Sequence, residues 1–400
     1  MDAEKLRDSV RGIQMKEEMR EVVIADVKRR TAQTTADHKR SGAGWRKNLA
    51  AAALILAAVG AAAFPVSALV NSLVKERMER MPQAEKDAYV ENIKNQTTEA
   101  DGFTRAYSAQ EEERYEEMAR QYQAGTFPDK EVVQVENEKE AEAYEFCYVK
   151  PTSVFCLPER ELTDEELLEI IDFMVKREYA YRENYEKENA EEIAKEEKQQ
   201  AAEIEANVAG GGITEQQAIE NAEQKLTEIF NITGKDFERN SYYAEGEEEK
   251  AAYYCVNWTN FIGRQYYYFY MDADDGHMVS ASYSGSDVHD IEPVTIEEAH
   301  SRIPQLYRAA AEFEKKLIGG TYSSVYVYYL QYQDGTAGKG VRFYFAGEDQ
   351  NAFSVAYTWD GLLYEAAEKS ISGLEDGKER ELWSGEGYRK AKEVFQKVEE

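Results

Sequence analysis

The pattern of polar and apolar positions changes abruptly near the start of the chain. Residues 48–74, between Lys47 and Lys75, are 27 consecutive positions without a charged side chain, most of them Ala, Leu or Val. A helix of about 20 apolar residues is long enough to cross a bilayer. The pattern therefore predicts one transmembrane helix over residues 48–74, in contact with membrane lipid.

The flanks of this stretch predict its orientation. Seven Lys or Arg side chains lie in residues 28–47 and five in residues 75–94. Because basic residues collect on the cytoplasmic side, we expect a single-pass protein of the cell membrane with a cytoplasmic N-terminus and an extracytoplasmic C-terminal domain. A cleaved signal peptide and a helix buried in the protein stay open, although 47 residues precede the stretch, more than the roughly 15–30 of a whole signal peptide.

Residues 1–47 are predicted to form a cytoplasmic helical arm with an apolar stripe at helical spacing. So short a segment cannot bury a stripe by itself, and it either lies on a surface or docks on a partner. Acidic residues among the basic ones argue against simple binding to anionic lipid. The candidate partner-binding residues are Met15, Met19, Val22, Val23 and Val27.

Residues 75–158 are predicted to be an extracytoplasmic region of helices followed by a hairpin over residues 143–157. Ser108 and Glu111 have the spacing of a capping box, which opens one of these helices. A third helix, over residues 159–210, opens at a further capping box and loses its apolar face halfway. We expect it to act as a spacer that is exposed over its second half.

The turn of the hairpin determines its register. With Pro151 and Thr152 as the turn residues, counting outward places Cys147 directly opposite Cys156. A close, non-hydrogen-bonded pair brings the two Cα atoms within disulfide range. These two cysteines are therefore the candidate disulfide, and the sequence leaves open whether they are oxidised.

The C-terminal part contains a diverged repeat. Residues 213–218 and 294–299 carry matching capping boxes, and aromatic strands follow each of them. Both copies then reach an Asp-Gly pair, at residues 275–276 and 360–361. Asp-Gly between apolar strands is a strong hairpin signal.

The repeat predicts two tandem units, each a helix plus an antiparallel sheet. The first unit spans residues 211–290, and the second spans residues 291–400 with a closing helix over 379–398. The predicted fold class is therefore α+β, with the helical arm, the transmembrane helix, the hairpin region and the spacer helix ahead of the two units.

The first unit resembles the PepSY domain family. It runs from Ile213-Thr-x-x-x-Ala218 through tyrosine-rich strands to Tyr270-Met-Asp-Ala-Asp-Asp-Gly276. The second unit is similar but has Thr358-Trp-Asp-Gly361 at the turn. PepSY units are associated with protease propeptides and envelope proteins, so the resemblance implies binding or inhibition and not catalysis.

The whole layout is similar to a group of membrane-anchored bacterial proteins. They share a short helical N-terminus, one span, a segment like Leu157-Pro-Glu-Arg-Glu-Leu-Thr-Asp-Glu-Glu-Leu-Leu168, and C-terminal PepSY-like units. Their N-terminal arms look like those of membrane anti-sigma factors, which implies that a sigma factor is the partner of the arm.

The distribution of charge argues against nucleic acid as a partner. The chain carries a net charge of −30. Residues 1–47 hold 12 basic and 8 acidic side chains and residues 48–74 hold none, so the remainder carries −34. A domain this acidic repels phosphate backbones.

The residues that could form a metal or ligand site also have ordinary structural interpretations. Asp272 to Gly276 looks like a calcium loop, but Gly276 stands at position 5 and Tyr283 at position 12, where an EF-hand needs Gly at 6 and Glu at 12. A hairpin turn explains this segment better than a calcium loop.

The tyrosines of the strands are compatible with either core packing or a carbohydrate- or peptide-binding surface. They are Tyr266, Tyr267, Tyr268, Tyr270, Tyr326, Tyr328 and Tyr329.

These patterns together predict a membrane-anchored extracytoplasmic binding and signalling protein with an anti-sigma-like arm. We expect no catalytic residues, no metal site and no cofactor. The alternative is an envelope structural protein or an inhibitor or chaperone-like partner of a secreted hydrolase. The expected partner is a protein, either a sigma factor or such a hydrolase.

Overall fold

Two sheets organise the molecule, a small one near the start of the described chain and a large one in its C-terminal half. The computed structural model describes residues 72–95, 102–234, 237–246, 251–289, 291, 294–347, 351–371, 374, 380–383 and 390–398. The arm with its five partner-binding candidates lies outside these residues, as does the predicted span up to residue 71.

The described helices lie mostly in the first half of the chain. They are α1 (Ser72–Glu79), α2 (Gln83–Asn95), α3 (Ala109–Gln123), α4 (Glu138–Ala141), α5 (Asp164–Glu188), α6 (Ala190–Ala209), α7 (Glu215–Phe230), α8 (Ser286–His289) and α9 (Ile296–Leu317). Four of them begin at the capping boxes that the sequence predicts, with Ser108, Thr163, Thr214 and Thr295 as N-caps.

The strands form two sheets. The small sheet has the order β1-β4-β3-β2 and contains β1 (Gly102–Phe103), β2 (Gln134–Val135), β3 (Cys147–Val149) and β4 (Val154–Cys156). The large sheet has the order β13-β14-β9-β10-β11-β12-β8-β7-β6-β5. Its strands are β5 (Glu238–Ala244), β6 (Tyr253–Asn260), β7 (Gln265–Asp272), β8 (Met278–Gly285), β9 (Ser324–Tyr332), β10 (Ala337–Ala346), β11 (Asn351–Thr358), β12 (Leu363–Ser370), β13 (Arg380–Trp383) and β14 (Lys390–Lys397).

The small sheet belongs to a helical domain. Helices α1, α2, α3 and α5 supply most of its core, in which Met78, Tyr122, Phe155 and Ile170 are fully buried. Strands β3 and β4 are antiparallel, while β1 and β2 pair with them in parallel. The described strands of this sheet are only two or three residues long, so the helices rather than the ladder provide most of the packing.

The structure contradicts the prediction of a single-pass membrane protein. Among the helices that the structure describes, none combines the length and the apolar composition needed to cross a bilayer. The end of the predicted span is the start of α1, which continues into Lys75 and Glu76. There Val74 is fully buried in the protein core beside Met78. The assignments of a cytoplasmic N-terminus and an extracytoplasmic domain rested on this span and are withdrawn with it.

The large sheet is built from two copies of one arrangement, a helix followed by a four-stranded meander. Unit 1 comprises α7 and β5–β8, and unit 2 comprises α9 and β9–β12. The Asp-Gly turns connect β7 to β8 and β11 to β12, and Gly276 and Gly361 have the positive φ that such turns require. Three residue pairs between β8 and β12 join the units into one sheet.

Two predicted helices differ from the observed elements. The closing helix over residues 379–398 is wrong, because β13 and β14 occupy that part and β14 pairs with β9 over Tyr326 to Tyr332. Pairing with the free edge of β9 outweighs the local preference of a Glu- and Lys-rich segment. The predicted single spacer helix is two helices, α5 and α6, that meet at Asn189.

Helices α7 and α9 cover the same face of the large sheet. Alternation along β6 directs Tyr254, Val256 and Trp258 into the core beneath α7, and Cys255 and Asn257 to the opposite face. The strand register continues across the joint, the pairing of β8 with β12 that connects the two units. There Ala281 lies opposite Ala366. The other face of the sheet carries neither α7 nor α9.

The turn between β6 and β7 connects unit 1 to the helical domain. Ile262 is buried in the helical core, and the guanidinium of Arg264 lies 4.2 Å from the ring centre of Tyr115. The side-chain amide of Gln123 donates to Asn260 at 2.9 Å. These contacts hold the helical domain against the β6–β7 end of unit 1.

Candidate functional site

The candidate site lies on the face of unit 1 opposite α7, which we call the helix-free face because α7 and α9 both cover the other side of the sheet. At the β6–β7 end of this face, the charges of Glu178 and Arg182 on α5 are close enough to affect the pKa of Glu238. Strand register places its side chains in two rows that cross four strands. One row is Asn240, Asn257, Tyr268 and Ser282, and the other is Tyr242, Cys255, Tyr270 and Ser280. We call these eight residues the tyrosine face.

The local sequence explains why these side chains share a face. Successive residues of a strand point to opposite sides of the sheet. One set of alternate residues in each strand therefore faces α7, and the other set, to which Tyr242, Asn257 and Tyr268 belong, faces away. Strand β7 illustrates this alternation, because Tyr267 and Phe269 are buried under α7 whereas Tyr268 is half-buried on the other side.

A buried thiol lies at the centre of the tyrosine face. Cys255 is 1% exposed, and its sulfur is in hydrogen-bonding contact with Tyr242, Tyr270 and Asn257. Burial raises the pKa of Cys255 to about 11, although those contacts lower it. Because the thiolate is the nucleophilic form, this cysteine stays protonated and unreactive near neutral pH. Its neighbours are two hydroxyls and an amide, none of which is a base.

Asn257, like Ser153 elsewhere in the described ranges, has a buried side-chain atom with no hydrogen-bond partner. It is 3% exposed, and no group in the described ranges donates a hydrogen bond to its Oδ1. Leaving a buried acceptor unpaired costs about 1–3 kcal/mol. Such a group in a native protein indicates a strained or functional position, and a ligand that brings a donor would remove the cost.

The tyrosine hydroxyls around Asn257 remain neutral. Burial is the main cause that raises the pKa of Tyr242, Tyr268 and Tyr270 above the ordinary value, and the charge of Cys255 would raise each further. Their rings therefore offer a flat apolar surface with hydroxyl donors and acceptors at the edge. The face is suited to binding and carries no acid–base pair.

The Asp272–His277 turn brings together three groups that could hold a metal. One ligand atom from each of Asp272, Asp275 and His277 lies within 4.8 Å of the others. The turn itself uses these acceptors, because Asp272 Oδ1 accepts the backbone N–H groups of Asp274 at 2.8 Å and Asp275 at 3.2 Å. Asp275 Oδ1 accepts the N–H of His277 at 2.9 Å. The hairpin-turn interpretation accounts for the geometry.

The predicted cysteine pair lies in the small sheet, away from the tyrosine face. The predicted register is confirmed, since Cys147 pairs with Cys156 across β3 and β4. Both are free thiols. Burial and the neighbouring Cys156 raise the pKa of Cys147 to about 12. The disulfide itself stays a prediction.

The predicted tyrosines divide between the two interpretations. Tyr267 and Tyr329 are buried in the cores under the helices, whereas Tyr268, Tyr270 and Tyr328 lie on the helix-free face. From the sequence, Asn257 stands out only as the first residue of the glycosylation sequon Asn257-Trp-Thr259, and not as a binding residue. The available signal was an amide in the centre of an otherwise apolar strand, Tyr254-Cys-Val-Asn-Trp258.

One carboxyl group elsewhere has a pKa near neutrality. Burial, followed by the charges of Glu165 and Glu166, raises the pKa of Glu169 to about 7. Acidic groups with shifted pKa values are common at functional sites. Glu169, however, lies on α5 among like charges, and the charge of Lys130 lowers its pKa. Burial of this carboxyl, with two acidic neighbours, explains the raised pKa.

Comparisons with protein-family models, curated proteins and solved structures found no match for this chain. The resemblance to PepSY domains therefore rests on the quoted residues and stays a prediction.

Proposed function

We propose that this chain is a non-catalytic binding protein that holds a polypeptide partner on the tyrosine face. The observation that carries the proposal is the unpaired Oδ1 of Asn257, which is buried and lies opposite Tyr268 in the strand register. A backbone N–H or a side-chain donor of a bound polypeptide would satisfy this acceptor, and the rings of Tyr268 and Tyr270 would pack on the partner's side chains.

The composition of the tyrosine face supports a protein partner. It consists of three Tyr, two Ser, two Asn and one Cys residue. Recognition surfaces of antibodies have the same composition, because Tyr supplies large rigid contacts at low entropic cost while Ser and Asn supply adaptable hydrogen bonds. The protonated Cys255 thiol favours binding over thiol catalysis.

The resemblance to PepSY domains points in the same direction. Both units have the helix and antiparallel meander expected of such domains, and the resemblance implies binding or inhibition of a protein such as a hydrolase. The sigma-factor partner predicted for residues 15–27 concerns residues outside the described ranges and stays a prediction.

Selection from a displayed library of random peptides, with the full-length chain as target, tests the proposal. We expect selected peptides to lose about tenfold in affinity or more with Tyr268→Ala, because truncating an aromatic anchor costs about 2 kcal/mol. Tyr268→Phe keeps the ring and should lose less.

Tyr326→Ala is the matched control, because Tyr326 is a strand tyrosine on the helix-free face of unit 2. It should leave the affinity unchanged. Equal affinity for the wild-type chain and the Tyr268→Ala variant would remove the tyrosine face as the binding surface, and selective binding of oligosaccharides would replace the peptide by a carbohydrate ligand.

A further inference from the structure

The edge of the large sheet at β5 is covered by a helix. Among the described strands, β5 pairs with β6 on one side and has no strand on the other. Helix α6 lies against this open side. The side-chain amide of Gln200 donates to the carbonyl of Tyr243 at 2.8 Å and accepts the N–H of Tyr243 at 2.9 Å.

Gln200 therefore takes the place of a neighbouring strand. A primary amide presents one donor and one acceptor side by side, the pair that a residue of an antiparallel strand presents in a hydrogen-bonded pair. The backbone of Tyr243 points away from β6 and is held in the geometry of strand pairing. An edge of this kind is a template for a further strand.

Helix α6 is held much more weakly than the helix before it. None of its 20 residues is buried, whereas α5 contains eleven buried residues. Apart from Gln200, its contacts with unit 1 include the partly buried Ile204 and Asn207, whose amide donates to the carbonyl oxygens of Ile213 at 3.2 Å and Ala273 at 3.1 Å. Elements with so little buried surface open at low free energy.

The charges around this edge are acidic. Glu203, Glu245 and Asp274 lie close enough to Tyr243 to raise the pKa of its hydroxyl, after the larger effect of burial. The chain as a whole carries −30, so a second copy would be repelled from this edge. A segment with basic side chains is complementary to it.

We propose that β5 is a strand-addition site for an extended, basic segment of a partner protein, and that α6 is a latch that occupies the site through Gln200 until that segment displaces it. Main-chain hydrogen bonds would provide the affinity, and the acidic surroundings would provide the preference for basic residues. This edge is distinct from the tyrosine face, so the proposal does not depend on the function proposed there.

Gln200→Ala in the full-length chain tests the latch, and Gln199→Ala is the matched control. Gln199 lies on the same helix, but its side-chain amide donates to Glu203 at 2.7 Å and not to the sheet. The probe is a synthetic peptide of alternating lysine and valine, with a glutamate-for-lysine peptide as its charge control. The readouts are affinity and hydrogen exchange at the N–H of Tyr243.

We expect the N–H of Tyr243 to exchange at least tenfold faster in Gln200→Ala and the lysine peptide to restore its protection. The lysine peptide should bind this variant at least tenfold more tightly than it binds the wild-type chain or Gln199→Ala, and the glutamate peptide should not bind. Tyr268→Ala should not alter this binding, which separates the edge from the tyrosine face.

Three results would overturn the proposal. Unchanged exchange at Tyr243 in Gln200→Ala would show that Gln200 does not hold the edge. Faster exchange without protection by the lysine peptide would show that the edge accepts no strand of this chemistry. Concentration-dependent dimers of the variant would make a second copy the occupant.

Discussion

The two units of the large sheet share one architecture but differ on the helix-free face. In unit 2, Arg342 donates to both carboxylate oxygens of Glu365 at 2.8 and 2.6 Å, and to Ser354 at 3.1 Å. Ser354 in turn donates to the carbonyl of Ala367 at 3.1 Å. In unit 1 the corresponding face carries the unpaired Oδ1 of Asn257.

The polar groups of this face are less completely hydrogen-bonded in unit 1 than in unit 2. This difference indicates that unit 1 carries the functional surface. In unit 2 an ion pair lies on the same face as Tyr326 and Tyr328, and β14 extends the sheet so that Phe395 stacks on Tyr326 at 4.7 Å. Proteins violate local rules of polar satisfaction mainly at functional sites. We therefore regard the helix-free face of unit 2 as structural and that of unit 1 as the recognition surface.

Removing the ion pair of unit 2 should have the largest effect on stability. Arg342→Ala leaves the partly buried carboxylate of Glu365 with the exposed Lys369 as its cation partner, and we expect the free energy of unfolding in urea to fall by about 3 kcal/mol. Lys369→Ala removes only an exposed pair with the same carboxylate and should cost a few tenths of a kcal/mol. Equal losses in the two variants would mean that Arg342 does not stabilise this face.

The same variant has a pH signature. Burial would raise the pKa of Glu365, but the hydrogen bonds and charge of Arg342 hold it at about 2, below its ordinary 4.5. A depressed pKa gives stability that is present above pH 4.5 and lost as the pH falls toward 2. The stability of Arg342→Ala should therefore fall less steeply than that of the wild type over this window.

Polar-to-apolar replacements in the two units should have opposite signs. Asn257→Leu removes an acceptor that has no partner and gives up a weaker contact with the Cys255 sulfur. We therefore expect the stability to rise by about 1 kcal/mol. Ser354→Ala removes a hydroxyl with two partners and should lower the stability by about 1–2 kcal/mol. Urea unfolding of both variants measures the contrast. A loss of stability in Asn257→Leu comparable to that of Ser354→Ala would show that Asn257 is already satisfied.

A smaller effect should come from the histidine that links the units. His277 Nδ1 is 2.6 Å from Asp275 in its own turn, and Nε2 is 3.4 Å from Glu368 of unit 2. Desolvation lowers the pKa of His277, but these carboxylates raise it above 6.5 overall. A raised pKa gives stability that is full below the unfolded-state value and lost as the pH rises through the folded-state value.

Because His277 is half-exposed, its contribution should be only a few tenths of a kcal/mol. The difference in unfolding free energy between the wild type and His277→Gln should be present near about pH 5.5 and absent near about pH 8.5. A difference that does not change with pH would show that His277 contributes by packing alone.

Features with a local signal were predictable from the sequence. The four capping boxes depend on residues three positions apart, and the Cys147–Cys156 register follows from the two residues of a turn. The Asp-Gly turns likewise need φ values that Gly adopts readily. In these cases the determining contacts lie within a few residues of one another.

Features that depend on distant partners were missed. Residues 390–397 became a strand because β9 offered a free edge, and no pattern within the segment reveals that edge. The charge-free stretch was interpreted as a membrane span, yet its last residue, Val74, is buried in the same protein core as Met78. The roles of Asn257 and Gln200 depend on neighbours that are remote in sequence, so composition alone could not distinguish them from ordinary polar residues.

The joint between the units has consequences for the order of folding. Each meander pairs strands that follow one another in sequence, so its contacts are local and form early. The joint pairs residues 280–282 with residues 365–367 through three positions, and the chain between them must first be organised by α9 and β9–β11. We therefore expect the units to form as separate cooperative parts and the joint to close last. Until it closes, β8 and β12 are bare edges, and this interval is when the nascent chain is most exposed to mispairing with other chains.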